Sequence, residues 1–461
     1  MGNIKKIGTF ALVMLIVGGI DSIRNLPATA LFGTSLLFFA VCSALIFLIP
    51  SALVSAELSS TIPEQGGIYH WVKLAFGEKV GFLSIWLQWI NTMVWFPSIL
   101  SFLAGTLAYV VDPSLANNKL YLVSVILIIF WGLTLLNLKG LHVSAKFSNF
   151  CVIIGTLVPM ALIVVLAGVW VFSGKPIQLH FTHANLLPSL HNSENWVALI
   201  AIMTAFLGME LVTVHIKDVK DPHKSFPKAL SISVILIVVT MMLGSLAIAL
   251  VLPAGQINLV NGVIQAFSNF FASYHLSFLI PTMAVALVVG NLGGMITWVI
   301  SPAKGLLQAS QSGFLPAILG KENKNGVAAN LLIVQAILVS IFCVAFLLMP
   351  SVNGSYWLLS DLSTQLYMLM YLMMFVAAIT LKYKLKPATT GFTIPGKKIG
   401  MWITCLIGLF GCIVTIIVGY IPPTGIDVGS FWHYEIVFSG GMLLMVLPVL
   451  GFYYYQYQTK N

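Results

Sequence analysis

Apolar runs of about 20 residues follow one another from residue 7 to residue 455, separated by short polar breaks. Wound as a helix, a run of that length matches the ~30 Å hydrocarbon layer of a bilayer. Twelve spans are predicted: 7–31, 35–58, 80–108, 120–138, 147–172, 196–216, 229–252, 278–301, 328–349, 356–381, 400–420 and 435–455. The longest polar segment, 173–195, carries Pro176, Pro188 and three histidines without hydrophobic periodicity, and reads as a surface loop. Residues 258–274 suit a short helix on the same side, whereas 61–79 and 303–326 are amphipathic enough to lie at the opposite interface. The pattern leaves no soluble domain and predicts an all-α polytopic membrane protein of about twelve transmembrane helices.

Two spans break the pattern. The first contains Val17-Gly18-Gly19-Ile20-Asp21-Ser22-Ile23-Arg24-Asn25-Leu26-Pro27, where two glycines, two ionisable side chains and a proline interrupt an apolar helix. The sixth contains Ala205-Phe206-Leu207-Gly208-Met209-Glu210, again a glycine and a charge near mid-span. Paired interruptions in spans one and six are what an inverted repeat of five plus five helices predicts, because broken helices present free amides and carbonyls to a ligand at the midplane. The repeats are expected over 7–172 and 196–381, with two additional helices over 400–455, all in one transporter domain.

Composition agrees: 59% of the 461 residues are hydrophobic and only 8% charged, far from the usage of a soluble domain. The net charge of +9 first suggests nucleic acid, but the lysines sort by loop. With Lys5 and Lys6 placed inside, only Lys119 and Lys175 of the chain's lysines fall outside. That asymmetry predicts an even number of spans with both termini in the cytoplasm, and it excludes a nucleic-acid partner as the reason for the charge. Lys5 and Lys6 before an apolar run imitate a signal peptide, yet Asp21 and Arg24 interrupt the run and the next span follows at once, so it is read as the first span. Cys42, Cys151, Cys343, Cys405 and Cys412 lie in apolar runs with no CxxC spacing and read as packing residues.

An ionisable group at a helix centre costs roughly 2.5–3.5 kcal/mol on insertion scales, so Asp21, Arg24 and Glu210 are expected to face protein or water. For Asp21 and Arg24, three residues apart, one reading is a mutual ion pair. The other gives Arg24, the only arginine in the chain, the task of holding a substrate carboxylate by two parallel bonds.

In order along the chain, several segments resemble the amino acid-polyamine-organocation superfamily of transporters. They are Pro63-Glu64-Gln65-Gly66-Gly67-Ile68-Tyr69-His70-Trp71, Asn137-Leu138-Lys139-Gly140 with Ser144-Ala145-Lys146, Phe206-Leu207-Gly208-Met209-Glu210, and Asp218-Val219-Lys220-Asp221-Pro222 ahead of Pro227-Lys228-Ala229. Trp298 with Pro302-Ala303-Lys304-Gly305, Asn323-Lys324-Asn325-Gly326-Val327, Ile394-Pro395-Gly396 and Ile421-Pro422-Pro423 narrow the resemblance to the bacterial glutamate/γ-aminobutyrate antiporter branch. Tyr367 and Tyr371, four apart on one helix face, are similar to that branch's pair lining or gating the path; an aromatic packing stripe is the plain alternative.

The resemblance implies a LeuT-like fold with broken helices 1 and 6 and an amino-acid antiporter, glutamate for γ-aminobutyrate being one candidate exchange, in the bacterial inner membrane. It implies a monomer or homodimer in the lipid bilayer, small-molecule amino-acid substrates, no cofactor and no enzyme activity; a coupled uptake symporter of the same fold, or a non-transporting membrane receptor, is the alternative. By resemblance, the substrate carboxylate meets amides around Ile20, Asp21 and Ser22, and the ammonium meets carbonyls around Gly18, Gly19, Phe206 and Leu207. Phe206, Trp298 and Tyr367 close over the side chain. Gly208 belongs to the same break, and Met209 is either a substrate contact or core. Glu210 is either a hydrogen-bonding latch between helices or a proton-sensitive gate.

Three departures qualify the likeness. Gly294 stands where the antiporters carry a glutamate, four residues before Trp298. The chain stops at Asn461, so the tail that plugs the cytoplasmic mouth in those antiporters is not expected. Gly155 stands where some proton-coupled relatives place a lysine, which favours exchange over lysine-linked symport. His180-Phe181-Thr182-His183 has metal-like spacing without a third ligand, and His215 with Asp218 reads as an interfacial pair. The residues of an enzyme's phosphate loop, nucleophile set or carboxylate pair are not recognised.

Overall fold

The computed structural model describes residues 8–62, 67–139, 150–151, 153–189, 191, 193–211, 219, 222–310, 313–385 and 392–460. Fifteen helices organise them: α1 (Thr9–Ile20), α2 (Leu26–Ala30), α3 (Gly33–Thr61), α4 (Gly67–Phe76), α5 (Glu78–Val111), α6 (Lys119–Leu138), α7 (Ile153–Phe172), α8 (Ala198–Ala205), α9 (Pro222–Val251), α10 (Gly262–Ser273), α11 (Ile280–Ser310), α12 (Ala329–Leu348), α13 (Val352–Lys384), α14 (Lys397–Gly419) and α15 (Phe431–Gln458). Ten segments among the described residues are long and apolar enough to cross a membrane, the α1–α2 segment counting as one. With α11, itself 31 residues long, and the broken sixth segment that begins with α8, this multi-pass bundle is consistent with twelve spans.

The longest helices are the innermost. Of the apolar window of α5, 72% is buried within the protein, against 17% for α15, whose remaining apolar surface suits lipid. α5 packs against α4, α11 and α13; α13 packs against α14, α1 against α9, and α11 against α7. The α7–α11 seam is backbone against backbone: a Cβ on Gly155 would fall on the main chain of Gly290, and the reverse holds. Gly155→Leu therefore overpacks the seam and is expected to cost about 1–3 kcal/mol, read as a lower melting midpoint of the purified protein.

Polar ties fix α13. At the lysine-rich end, the Glu57 carboxylate on α3 accepts from Lys382 Nζ and, at 2.7 Å, from the N–H of Ile394, while Ser60 Oγ donates to Phe392 O at 3.1 Å. Further along α13, the buried Asp361 accepts from Tyr434 of α15 at 2.7 Å and from Gln365 at 2.8 Å. Removing the ammonium with Lys382→Ala leaves Glu57, whose side chain is only 6% exposed, without its counter-charge. We expect destabilisation of about 3 kcal/mol, and recovery of much of it in the double variant Glu57→Gln/Lys382→Met, measured by thermal unfolding.

Some expected elements differ. The interfacial helix expected over 61–79 forms as α4, but it packs on α5 and α13, burying Ile68, Trp71, Val72 and Ala75. Residues 303–310 continue α11 through Pro302 rather than forming a separate interfacial segment. The loop 173–195 contains two single-turn helices, His183–Leu186 and Ser193–Trp196. The helix expected over 258–274 is α10. Of the motif residues, 63–66, 140, 144–146, Lys220 and Asp221, and His215 with Asp218, lie outside the described residues.

Candidate functional site: a cavity at the break of the first helix

α1 ends at Ile20 because Asp21 and Ser22 are extended, with ψ of 113° and 121°. The Asp21 amide still closes the last turn, donating to Val17 O at 2.8 Å. A tight turn, Ile23–Asn25, then leads into α2, with Pro27 in its first turn, where a missing N–H costs nothing. The amides of Ser22 and Ile23 find no partner among the described residues, and the carbonyls of Gly18, Gly19 and Ile20 find no backbone partner there. The break thus sets the negative end of α1 beside unsatisfied donors. The expected amide contacts shift accordingly: the Asp21 N–H belongs to the helix, and the free donors are those of Ser22 and Ile23.

The break opens on a cavity of about 130 Å³. Gly18, Ile20, Asp21, Ser22 and Arg24 line it from the first span, Leu207 and Gly208 from the sixth, and Tyr367 from α13. Asn91, Thr92 and Trp95 of α5, Thr156 of α7, Asn291 and Met295 of α11, and Ser363 of α13 complete much of the wall. Ser363 donates to Asn91, and Thr204 Oγ1 lies 2.5 Å from Thr364 Oγ1, so α13 is held against both α5 and α8 at the cavity.

Asp21 and Arg24 do not pair, which corrects the ion-pair expectation. The extended residues between helix and turn send the two side chains to different neighbours. Asp21 Oδ2 accepts from Thr240 Oγ1 of α9 at 2.6 Å. The Arg24 guanidinium lies 4.7 Å over the Trp95 ring and donates through Nε to Ser22 Oγ at 3.2 Å. Its terminal nitrogens make no hydrogen bond among the described residues, although the residue is only 6% exposed. Tyr356 of α13 donates to Arg24 O at 3.3 Å and steadies the turn.

In the sixth span the helix stops at Ala205 and the chain turns through Phe206–Glu210, with Gly208 at φ +107°, a conformation that side-chain-bearing residues rarely adopt. That turn carries Leu207 and Gly208 to the cavity and sends Phe206 and Met209 into the core, both fully buried. Neither lines the cavity, so packing is the role the structure gives these two. Tyr371 OH accepts from the Gly208 N–H at 3.2 Å and donates to Glu210, while Gln88 Nε2 of α5 donates to Glu210 Oε1 at 3.3 Å. Glu210 therefore joins the sixth-span break to α5 and α13 one layer away from the cavity. The rings of Tyr367 and Tyr371 are 5.8 Å apart, the first at the cavity wall and the second at this polar knot. Gly19 lies in α1, and the side chain of Trp298 lies outside the described residues.

Sequence reasoning missed the opposite wall. Asn91 and Asn291 carried a usable signal, since an amide in mid-span needs partners as much as a charge does. Trp95 and Met295 carried none, being indistinguishable from core.

The fold matches that of a manganese transporter of Eremococcus coleocola, with a TM-score of 0.58 at 16% identity over 98% of this chain and 94% of that one. In sequence, the chain is 41% identical over 447 residues to an uncharacterised transporter of Legionella pneumophila, covering 97% of this chain and 96% of that protein. It is 28% identical to a glutamate/γ-aminobutyrate antiporter of Lactococcus lactis over the whole chain and 92% of that protein. A family model described as amino acid permease matches residues 7–445. With that match over nearly all of its length, the chain belongs to the amino acid permease family.

Proposed function

We propose that this permease exchanges amino acids across the bacterial inner membrane, with both termini in the cytoplasm, through the cavity at the first-span break. The observation that carries this reading is the Arg24 guanidinium, buried at the cavity wall beside the Ser22 amide, which has no partner among the described residues. A guanidinium and a free amide on one cavity wall suit one carboxylate, and a cation at mid-membrane is costly until an anion joins it. The carbonyls of Gly18, Gly19 and Ile20, at the negative end of α1, suit an ammonium. Residues 7–172 and 196–381 act as the two repeats that rock about this site, with 400–455 as additional helices. The likeness to the Lactococcus lactis antiporter makes glutamate and γ-aminobutyrate the first pair to try. Gly155 supports exchange over a lysine-coupled symport, because its contact with Gly290 leaves no room for a longer side chain.

A heat-stability screen of the purified protein against the twenty amino acids and γ-aminobutyrate tests the reading. A ligand at a hundred times its Kd adds about 2.7 kcal/mol to the folded state. At least one amino acid should raise the melting midpoint, and the rise should vanish in Arg24→Ala. A flat response to all of them counts against an amino-acid site.

A further inference from the structure

Asp21 is the second charged wall of the same cavity, and exchange of backbone-bound amino acids alone gives it no task. It is only 6% exposed, yet one carboxylate oxygen is held by Thr240 and the other, Oδ1, has no hydrogen-bond partner among the described residues. Arg24, three residues on, is equally buried and leaves its terminal nitrogens open. Two opposite charges this close in sequence, both already buried, would gain by pairing. The extended Asp21–Ser22 backbone, the Thr240 hydroxyl and the Trp95 ring hold them apart instead. A cavity that keeps an acid and a base separate is complementary to a molecule carrying both charges.

We propose that Asp21 receives the ammonium group of the substrate while Arg24 receives its carboxylate, so that the site selects zwitterions by side-chain charge, and that Thr240 is the positioning residue that keeps Asp21 off Arg24. This rests on reading the cavity as an amino-acid site and adds which charges the ligand must carry. A zwitterion satisfies both walls at once. A plain carboxylic acid leaves Asp21 unpaired, and a plain amine leaves Arg24 unpaired, so each half-molecule binds against an uncompensated buried charge.

The test is competition for exchange in proteoliposomes, using amino acids paired with acids that lack the ammonium: alanine and propionate, leucine and 4-methylpentanoate, glutamate and glutarate, 4-aminobutyrate and butyrate. In the wild type, whichever amino acids are exchanged should compete at least tenfold better than their partners. Asp21→Asn, close in shape, should shrink that preference below about threefold by weakening the amino acid and not the acid. Thr240→Val should weaken the amino acid while leaving the melting midpoint near that of the wild type. Wild-type protein that takes propionate or glutarate as well as the amino acid overturns the proposal without any variant. So does an Asp21→Asn protein that keeps its tenfold preference. A wild type that exchanges none of the twenty amino acids and not 4-aminobutyrate either refutes the amino-acid reading itself, and this inference with it.

Discussion

Arg24→Ala is expected to lower the initial rate of amino-acid exchange at least a hundredfold at unchanged protein level. A bidentate, charge-assisted contact is worth about 3 kcal/mol, and 1.4 kcal/mol is a factor of ten. The fold should survive, because among the described residues Arg24 spends one side-chain hydrogen bond on the protein, to Ser22, and its stack on Trp95 is replaceable by water in the cavity. Arg24→Lys keeps the charge but loses the fork, and should fall between the two. An Arg24→Ala protein that exchanges at the wild-type rate would reduce Arg24 to a packing partner of Trp95.

The second large effect concerns Glu210. Its carboxylate takes hydrogen bonds from Tyr371 and from Gln88, and Tyr371 in turn takes the Gly208 amide. Glu210→Ala strands the buried Tyr371 hydroxyl, costing about 1–3 kcal/mol, and removes the acceptor of the half-buried Gln88 amide; it should slow exchange ten- to a hundredfold by loosening the sixth-span turn. Glu210→Gln keeps an acceptor oxygen facing Tyr371 and should stay within about threefold of the wild type, the result expected of a latch. A glutamine variant as inactive as the alanine variant at every pH would point to a proton gate in its place. Exchange rates of both variants from pH 5 to pH 8 separate the two.

The hydrophobic pattern made the membrane fold legible because a bilayer imposes one length and one composition on every span. Both breaks were legible for the same reason: Asp21, Arg24 and Glu210 stand out only against an apolar background. Direction was not legible. Three-residue spacing put Asp21 and Arg24 on one helix face, whereas two extended residues turn them to α9 and α5. The turn at Gly208 likewise decides that Leu207 meets the cavity and Phe206 the core, and a positive φ leaves no trace in sequence beyond the glycine itself. The wall formed by α5 and α11 comes from helices far apart in the chain, so only packing assembles it. The Gly155–Gly290 contact is of the same kind, since each glycine reads alone as an ordinary small residue in a membrane helix.

Counterflow in liposomes bears most directly on exchange at this cavity. Purified protein is reconstituted into vesicles preloaded with one amino acid or left empty, and uptake of a labelled amino acid is followed in each. Uptake into preloaded vesicles, little into empty ones with or without a proton or sodium gradient, and loss of both with Arg24→Ala is the predicted result. Equal uptake into empty vesicles driven by a gradient, or full counterflow by the Arg24→Ala protein, would contradict it.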